Sequence, residues 1–383
     1  MVSSDPHLSP SEAEYLLAGF SGIRIDGRGP ADYRPYALDS RSRSLPPHSS
    51  RRDDPSARGG ASTAAVVDAA LREDHGASSS VDPPLVLSHG SSRVSLPGGG
   101  ADVLCSVRAE LVRPSPAFSD RGSVDVRVEL LGPSPSSHSR SRRRTEEAEL
   151  TAALQRLVCP HAADLRGLCI VPGRYAWRLA CDVSVLSSDG NALDAAAMAL
   201  RAAVRGTLLP SVMAVDRRSG GGGGAGVAGS GGKPADDLVV DGDMADAAPP
   251  LGADDCPVVV TVFIMESLSS SASTGGGTRG KVSRALLLDA RSEEERCAST
   301  SVAVGVDRSG RICGVYKRRS PSSSGGGGNG TLPVALLGEV AATAAEGARR
   351  VLHMMDGEGS WRGGEKLAGG GAEDLLGGHI VIQ

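Results

Sequence analysis

The stretch VPGRYAWRLACDVSVLSSDGNALDAAAMALRAAVRGTLLP, residues 171–210, decides the fold of this chain. Residues 175–186 are dense in side chains of the buried type and predict a long strand. Gly190 and Asn191 mark a turn, and residues 192–206 then repeat apolar side chains at helical spacing. Because most of these side chains are alanines, the helix can approach a sheet closely. The segment therefore predicts a strand, a tight turn and a buried helix.

Further strands and helices are predicted on both sides of this segment. Strand patterns occur at 86–87, 93–96, 103–112, 124–131, 168–172, 257–265, 283–289, 299–307 and 311–318. Helical patterns occur at 9–20, 145–159, 292–299 and 333–356. In the first helix Ser9 is a candidate cap, Glu12 completes a capping box, and Tyr15, Leu16 and Phe20 form an apolar face. In the second, Glu146 and Glu147 fall in the first turn, where the helix dipole favours acidic residues.

Segments rich in Gly, Ser, Pro and Arg separate these patterns and divide the chain. We expect an N-terminal helix and first strand at 1–39, a low-complexity insertion at 40–82, a first half at 83–216, a disordered insertion at 217–254, a second half at 255–356 and a flexible tail at 357–383. Each half mixes strands and helices. The expected fold class is therefore α+β, with two βαβ-type halves whose mixed sheets pack on helices.

Composition limits the possible functions. Aromatic residues make up 3% of the 383 residues, so the core must be built from aliphatic side chains. The net charge is −4, so any nucleic-acid binding has to come from local basic clusters or from partners. No run of apolar residues is long enough to span a bilayer, and the N-terminus has no apolar signal region. We therefore expect no membrane partner.

The seven cysteines are scattered, and none forms a CxxC pair, which disfavours a zinc site. Several lie inside apolar strand patterns, where a buried free thiol is the ordinary interpretation. This fits a reducing compartment, the cytosol or the nucleus. The eight histidines show no ligand spacing, and the glycine-rich runs lack a Walker lysine. We expect no metal and no cofactor.

Four ordered stretches resemble the RNase PH-like subunits of the RNA exosome. IRIDGRGPADYRP resembles the opening signature of that family, with Arg24, Asp26, Gly27, Arg28 and Arg34 in place. HGSSRVSLPGGGADVLCSVRAEL resembles its first hairpin. The third stretch, which contains VPGRYAW and CDVSVLSSDGNALDA, is the most specific and is most similar to the subunit type called ribosomal RNA processing protein 42. VVVTVFIM and ALLLDARSEEERCASTSVAVGVDRSGRICGVYKR resemble the second half of the family fold.

The resemblance implies an RNase PH-like fold in a ring of six such subunits. Its implied partners are other RNase PH-like ring subunits, cap subunits on one face, and single-stranded RNA in the central channel. It implies support of 3'–5' RNA degradation and processing, including rRNA maturation and decay of mRNA and non-coding RNA, in the nucleus, nucleolus and cytoplasm. The resemblance is to the eukaryotic ring, which is mostly a scaffold and conduit, so hydrolysis is expected to come from associated nucleases.

Active members of this family hold phosphate at a helix N-terminus with small hydroxyl residues, helped by a nearby acidic residue. Here Asp189 stands in the acidic position and Asp182 lies upstream on the strand. Asn191 and Asp194 replace the hydroxyl residues after Gly190. A carboxylate in the first helical turn competes with a bound anion, so we expect a vestigial site in which Asn191 or Asp189 caps the helix and Asp194 complements its dipole. The alternative is an active phosphorolytic 3'–5' exoribonuclease subunit.

Two basic clusters are candidate RNA contacts. Arg140, Arg142, Arg143 and Arg144 precede the predicted helix at Thr145, and related non-catalytic subunits carry arginines near the RNA path. The competing interpretation is a solvated charge run in a disordered loop. Because stacking aromatics are absent from the pattern, the expected contacts are to phosphates. Lys317, Arg318 and Arg319 are interpreted as a solvated strand end that deters strand pairing.

A third hypothesis is a diverged paralogue that no longer assembles, since the insertions depart from the family. Association with other ring subunits would distinguish it from the other two.

Overall fold

The computed structural model of the chain describes residues 10–19, 24–40, 89–96, 100–131, 137–215, 237–241, 246–269, 281–318, 332 and 334–356. The strands are β1 Ala37–Ser40, β2 Gly90–Ser95, β3 Asp102–Val112, β4 Ser123–Leu130, β5 Cys169–Val171, β6 Tyr175–Ser187, β7 Val212–Val215, β8 Asp237–Val240, β9 Val258–Ser269, β10 Lys281–Leu288, β11 Thr300–Val306 and β12 Ile312–Arg318. The helices are α1 Pro10–Gly19, α2 Ser137–Leu157, α3 Ala192–Arg205, α4 Ser292–Cys297 and α5 Val334–Asp356.

Two main sheets correspond to the two predicted halves. The first has the strand order β1-β2-β3-β6-β4, with β5 paired to β6. Its strand β4 runs parallel to β6, so β4, α2 and β6 form a βαβ unit. The second sheet has the order β10-β9-β11-β12. Strands β10 and β11 both pair antiparallel with β9, so they run parallel to each other around it, joined through α4. The predicted α+β class, with two βαβ-type halves, is confirmed.

Helix α3 lies between the two sheets, so its predicted close approach to a sheet occurs on two sides. It contacts β2, β3 and β6 on one side and β9 on the other. Every residue from Ala192 to Val204 is buried, which explains why alanine rather than a larger side chain dominates this helix. Gly90 of β2 is required for the close approach, since a Cβ there would lie 2.5 Å from the carbonyl oxygen of Ala203. One aliphatic core therefore runs through both halves.

Three expectations about the elements are wrong. Helix α2 begins at Ser137 rather than Thr145, because the last proline of the preceding segment is Pro135 and arginine is a good helix former. Glu146 and Glu147 consequently lie in its third turn rather than its first. In α1, Leu16 is buried but Tyr15 is 70% exposed, so Tyr15 does not belong to an apolar packing face.

The third error concerns the insertion at 217–254. Its residues Asp237–Val240 form β8, which pairs antiparallel with β7, and residues 246–254 continue into the second half as ordered structure. Apolar Leu238, Val239 and Val240 give this piece a strand pattern inside an otherwise acidic segment. Residues 41–88, 216–236, 242–245 and 357–383 lie outside the described residues, so the expectations for the rest of the insertions and for the tail stay predictions.

The outer edge of β4 is closed by side chains of α2. The backbone N–H groups of Val126, Val128 and Leu130 donate to Gln155 Oε1, Thr151 Oγ1 and Glu147 Oε1 at 3.0–3.1 Å. These acceptors are spaced by four residues on one face of α2, and the paired backbone groups alternate along β4. The helix thereby satisfies strand donors that would otherwise be open to pairing with another chain.

Replacing Thr151 with valine should lower the free energy of unfolding by about 1–3 kcal/mol, because the Val128 N–H loses its acceptor in a partly buried site. Urea unfolding followed by the fluorescence of buried Trp177 measures this. Thr145→Val on the exposed part of the same helix is the control and should change stability by less than about 0.5 kcal/mol. Equal effects of the two substitutions would contradict the role given to the Thr151 hydroxyl.

Candidate functional site

The turn before α3 is held in a conformation that fixes the start of this helix. Gly190 and Asn191 both have positive φ, +85° and +55°. A Cβ on Gly190 would lie 2.5 Å from the carbonyl oxygen of Ala290, so the turn packs directly on the backbone after β10. Asn191 is 1% exposed and its backbone N–H donates to Glu295 Oε1 at 2.8 Å. The N-terminus of α3 is therefore covered by the α4 segment and carries a carboxylate of the chain itself.

Asp194 is fully buried and joins the two halves of the fold. Its carboxylate accepts hydrogen bonds from the hydroxyl and the backbone N–H of Thr261 on β9, at 2.7 and 3.1 Å. It also accepts from Asn191 Nδ2 at 2.9 Å and from the Tyr33 hydroxyl at 3.2 Å. Burial raises the pKa of Asp194 to about 6, although the hydrogen bonds from Thr261 and Asn191 act in the opposite direction. This carboxylate is a cross-link rather than a group that merely complements the helix dipole.

Asp289, directly after β10, is the centre of the site. Its carboxylate accepts hydrogen bonds from the backbone N–H and the guanidinium of Arg34 at 2.7–2.9 Å and from the Tyr36 hydroxyl at 2.8 Å. Arg28 Nη1 at 3.1 Å and Asn191 Nδ2 at 3.3 Å complete its partners. Burial alone would raise the pKa of Asp289, but the hydrogen bonds and charge of Arg34 outweigh it and the pKa is lowered. Asp289 is ionised in the folded protein at neutral pH.

The segment that resembles the opening signature of the family supplies several cations of this cluster. Arg24 is buried, pairs with Glu294 and donates to the carbonyl oxygens of Leu288 and Asp289 at 3.0 and 2.8 Å. Arg28 also pairs with Asp26, at 2.7 Å. Gly27 has φ +80°, which closes the tight turn between Arg24 and Arg28. The signature residues thus fasten the N-terminal segment to the end of β10.

The arginines of the cluster are all paired with carboxylates of the chain. Five arginines, Arg24, Arg28, Arg34, Arg291 and Arg318, each lie within ion-pairing distance of a carboxylate. The matching carboxylates are Asp26, Asp189, Asp289, Glu294 and Glu295. An incoming phosphate would have to displace one of these carboxylates, at a cost in a desolvated setting.

The capping expectation for the turn is wrong. Asn191 is the N-cap residue of α3, but its side chain makes no capping hydrogen bond, because it donates to Asp194 and Asp289 instead. Asp189 pairs with Arg291 at 3.0 Å and accepts from the Ser292 hydroxyl at 3.1 Å. Asp182 lies outward on β6 and pairs with Arg108 at 3.3 Å, so it does not join the cluster.

Sequence reasoning missed Asp289, Glu294, Glu295 and Arg291 as site residues. They stand in the segment DARSEEER, whose signal was a single Asp directly after a buried strand and before an acidic helix. Arg318, interpreted as part of a solvated strand end, is instead largely buried and lies 3.6 Å from Glu149 and 3.7 Å from Glu295. Lys317 is exposed as expected, and Arg319 lies outside the described residues.

The second candidate region is the N-terminal half of α2. Arg140, Arg142 and Arg144 are exposed there and Arg143 is half-buried. They therefore stand on an ordered helix rather than in a disordered loop. Positive charges in the first two turns oppose the helix dipole, which disfavours them on grounds of stability alone. An anionic partner at this end of α2 would remove that penalty.

The sequence predicts no metal site, and this prediction concerns clusters of metal-binding side chains. In the described part of the chain, no group of three or more His, Cys, Asp or Glu side chains is arranged to hold a metal ion. All seven cysteines are free, and four of them are buried. None of the helices in the described ranges combines the length and apolar character that a membrane crossing needs.

Comparison with known proteins agrees with the fold and the sequence resemblance. Residues 84–210 match the model of the 3' exoribonuclease family, domain 1, known as the RNase PH domain. The exosome complex component Rrp42 of Methanopyrus kandleri is 27% identical over 230 residues, which are 60% of this chain and 71% of that protein. Rrp42 of Thermococcus kodakarensis is 35% identical over 115 residues, 30% of this chain and 42% of that protein.

Solved structures show the same fold. An archaeal exosome core chain aligns with a TM-score of 0.51 and 20% identity over 90% of this chain and 96% of its own length. A chain of the Archaeoglobus fulgidus exosome with RNA bound to the active site aligns with a TM-score of 0.50 and 21% identity, over 88% of this chain and 95% of its own length.

Asp289→Asn should lower the free energy of unfolding by about 3–5 kcal/mol, because the largely buried Arg34 guanidinium loses its nearest charge partner and keeps only Asp189, at 3.9 Å. Urea unfolding measures the change. Asp26→Asn removes a more exposed carboxylate from the same cluster and should cost less than about 1 kcal/mol. A loss below 1 kcal/mol for Asp289→Asn would remove this residue from the centre of the network.

The raised pKa of Asp194 predicts a pH dependence of stability. With a folded pKa of about 6 against an ordinary value of 3.8, the folded protein binds a proton between these pH values that the unfolded chain has released. Stability from this group is therefore present at low pH and is lost as pH rises through 6, by up to about 3 kcal/mol. The lowered pKa of Asp289 acts in the opposite sense, below about pH 4.

Asp194→Asn removes this titration. Relative to the unmodified protein, the variant should be more destabilised at pH 4.5 than at pH 7, as measured by urea unfolding at both pH values. A destabilisation that is equal at both pH values, or larger at pH 7, would show that Asp194 does not titrate in this window.

Proposed function

We propose that this chain, which contains an RNase PH domain and is similar to archaeal exosome components named Rrp42, is a non-catalytic structural subunit of an RNA exosome ring. Its partners in this proposal are other RNase PH-like ring subunits, cap subunits and single-stranded RNA. Its role is to help form the RNA channel and to support 3'–5' degradation and processing of RNA. The substrates include rRNA precursors, mRNA and non-coding RNA, in the nucleus, nucleolus and cytoplasm.

The observation that carries the non-catalytic assignment is the sealed start of α3. Anions bind at helix N-termini because free N–H groups point at them. Here the Asn191 N–H is taken by Glu295, and Asn191 and Asp194 are 1% and 0% exposed. Burial raises the pKa of Glu295, although the charge of Arg318 and the Asn191 N–H act to lower it. The Glu295 carboxylate thus holds an N–H group at the helix N-terminus to which the resemblance would assign inorganic phosphate in an active enzyme.

The competing hypothesis, an active phosphorolytic exoribonuclease, rests on Asp189. This carboxylate is partly exposed, as an acid in proton transfer would have to be. Asp189, however, already accepts hydrogen bonds from Arg291 and Ser292, so its carboxylate has a structural role. The geometry therefore favours the scaffold.

A role as a ring subunit agrees with the apolar side chains left on the surface. Met213 of β7 and Val239 of β8, which are cross-strand partners, are 64% and 49% exposed, and Leu251 is 68% exposed. Such side chains are typical of surfaces that a partner covers.

Co-expression should test assembly directly. The chain alone should self-associate or precipitate, and co-expression with another RNase PH-like subunit should yield a stable complex that elutes as one species in size-exclusion chromatography. A monodisperse monomer that ignores such subunits would support the hypothesis of a paralogue that no longer assembles.

The arginines of α2 should contribute phosphate contacts in the assembled ring. Arg140 and Arg144 are exposed and one helical turn apart, so replacing both with alanine should flatten the dependence of log K on log salt by about 1.4 for single-stranded RNA. The loss should be similar for all RNA sequences, because phosphates carry no base information.

The control for this experiment removes two exposed arginines elsewhere, Arg127 of β4 and Arg349 of α5. Fluorescence anisotropy of a labelled oligonucleotide at several salt concentrations gives both slopes. An unchanged slope in the Arg140/Arg144 variant, or an equal change in the control, would reject the contact.

A further inference from the structure

We propose that a cavity between the β3–β4 connection and the C-terminal part of α2 binds one nucleotide unit of RNA, with the base against Phe118 and the phosphate on Arg113 and Arg121. This inference rests on the proposed role in an RNA-conducting ring and adds a base-stacking contact to it. The cavity is separate from both the Asp289 cluster and the arginine run of α2.

The size of the cavity suits one nucleotide. Its volume is about 340 Å³, at the lower end of the range of about 300–1,000 Å³ typical of small-molecule sites. Its apolar lining includes Val124, Leu165 and Pro160, and its polar lining includes Arg113, Arg121 and Asp125. The carboxylate of Asp125 already accepts a 2.8 Å hydrogen bond from Arg178. The basic groups are therefore the ones available to a ligand.

Phe118 is the feature that points to a base. It is one of three phenylalanines in the chain, it lines the cavity, and it is 55% exposed. The Arg121 guanidinium lies 4.8 Å from the centre of its ring. Aromatic rings paired with arginine form the platforms on which single-stranded nucleic acids stack their bases, independently of sequence. The sequence pattern suggested no such platform, because Phe118 stands alone in a proline-rich loop.

The charges at this loop favour an anion. Arg113, at the end of β3, is exposed and has no ion pair or hydrogen bond with any side chain in the described ranges. Arg121 and Arg166 share a single carboxylate, Asp120, at 3.4 and 3.5 Å. Three cations at the loop thus have one carboxylate, Asp120, between them, since the other carboxylate of the lining, Asp125, is paired with Arg178. A phosphate group supplies the missing negative charge.

The loop is held in place before any ligand arrives. The Gly122 N–H donates to the carbonyl oxygen of Leu165, and the Gly173 N–H donates to that of Ser119, both at 2.7 Å. A Cβ on Gly122 would lie 2.2 Å from the carbonyl oxygen of Trp177, so the loop packs directly on β6. A loop fixed in this way loses little conformational entropy on binding.

The test uses the ring assembled with its RNase PH-like partners and a single-stranded RNA that carries 2-aminopurine, whose fluorescence falls on stacking. Phe118→Leu keeps an apolar side chain but removes the aromatic face, so it should weaken RNA binding about tenfold and restore the fluorescence. Phe118→Tyr keeps the aromatic face, so it should retain both the RNA affinity and the 2-aminopurine quenching of the unmodified protein. Arg113→Gln should lower the salt slope by about 0.7, whereas Arg127→Gln, on β4 outside the cavity, should not alter 2-aminopurine quenching.

Competition with adenosine monophosphate separates the two sources of a nucleotide. If adenosine monophosphate displaces the RNA and the fluorescence rises, the cavity binds free nucleotides as well as RNA. If the quenching persists, the cavity binds a nucleotide only as part of an RNA strand. If the ring assembles and binds RNA but Phe118→Leu changes neither affinity nor quenching, the inference is overturned while the proposed function stands. Loss of ring assembly in Phe118→Leu would also overturn it, since the loop would then be a protein interface. If the unmodified chain fails to assemble, the proposed function itself fails.

Discussion

The fold depends on one buried carboxylate. Asp289 lies at the end of β10, with φ +45°, and receives hydrogen bonds from Arg28, Arg34, Tyr36 and Asn191. These partners belong to the N-terminal segment and to the start of α3, so one side chain joins three distant parts of the sequence. Asp194 continues the connection from α3 to β9 through Thr261. Since a buried charge without partners would be costly, the site is stable only when all three segments are in place.

The same network determines what the site can do. Arginines that could hold phosphate are committed to carboxylates of the chain, and the N-terminus of α3 is buried under the α4 segment. The N-terminus of α3 is thus filled by groups of the chain itself. Basic groups that stay accessible lie elsewhere, on α2 and on the β3–β4 connection. The proposal of a subunit that guides RNA rather than cutting it rests on this distribution of charge.

Periodicity in the sequence predicted the elements that make up the core. The long strand β6, the tight turn at Gly190 and Asn191 and the buried helix α3 all follow from one stretch of 40 residues. The α+β class and the two halves also follow, because strand and helix patterns alternate in two similar cycles. Local signals fail at element ends. The start of α2 was not predicted, because a run of arginines without apolar residues at helical spacing has the same pattern as a solvated loop.

The partners within the site could not be predicted from local patterns, because they are set by packing. Asn191 and Asp194 look like capping residues in the sequence, but burial turns them toward Asp289 and Thr261 instead. Arg318 looks like a solvated strand end, yet α2 and α4 enclose it.

The most direct test of the scaffold assignment is phosphorolysis by a ring in which the partner subunits carry disabled active sites and this chain is unmodified. We expect no phosphate-dependent release of nucleoside diphosphates from bound RNA. Release that is abolished by Asp189→Asn would contradict the scaffold assignment.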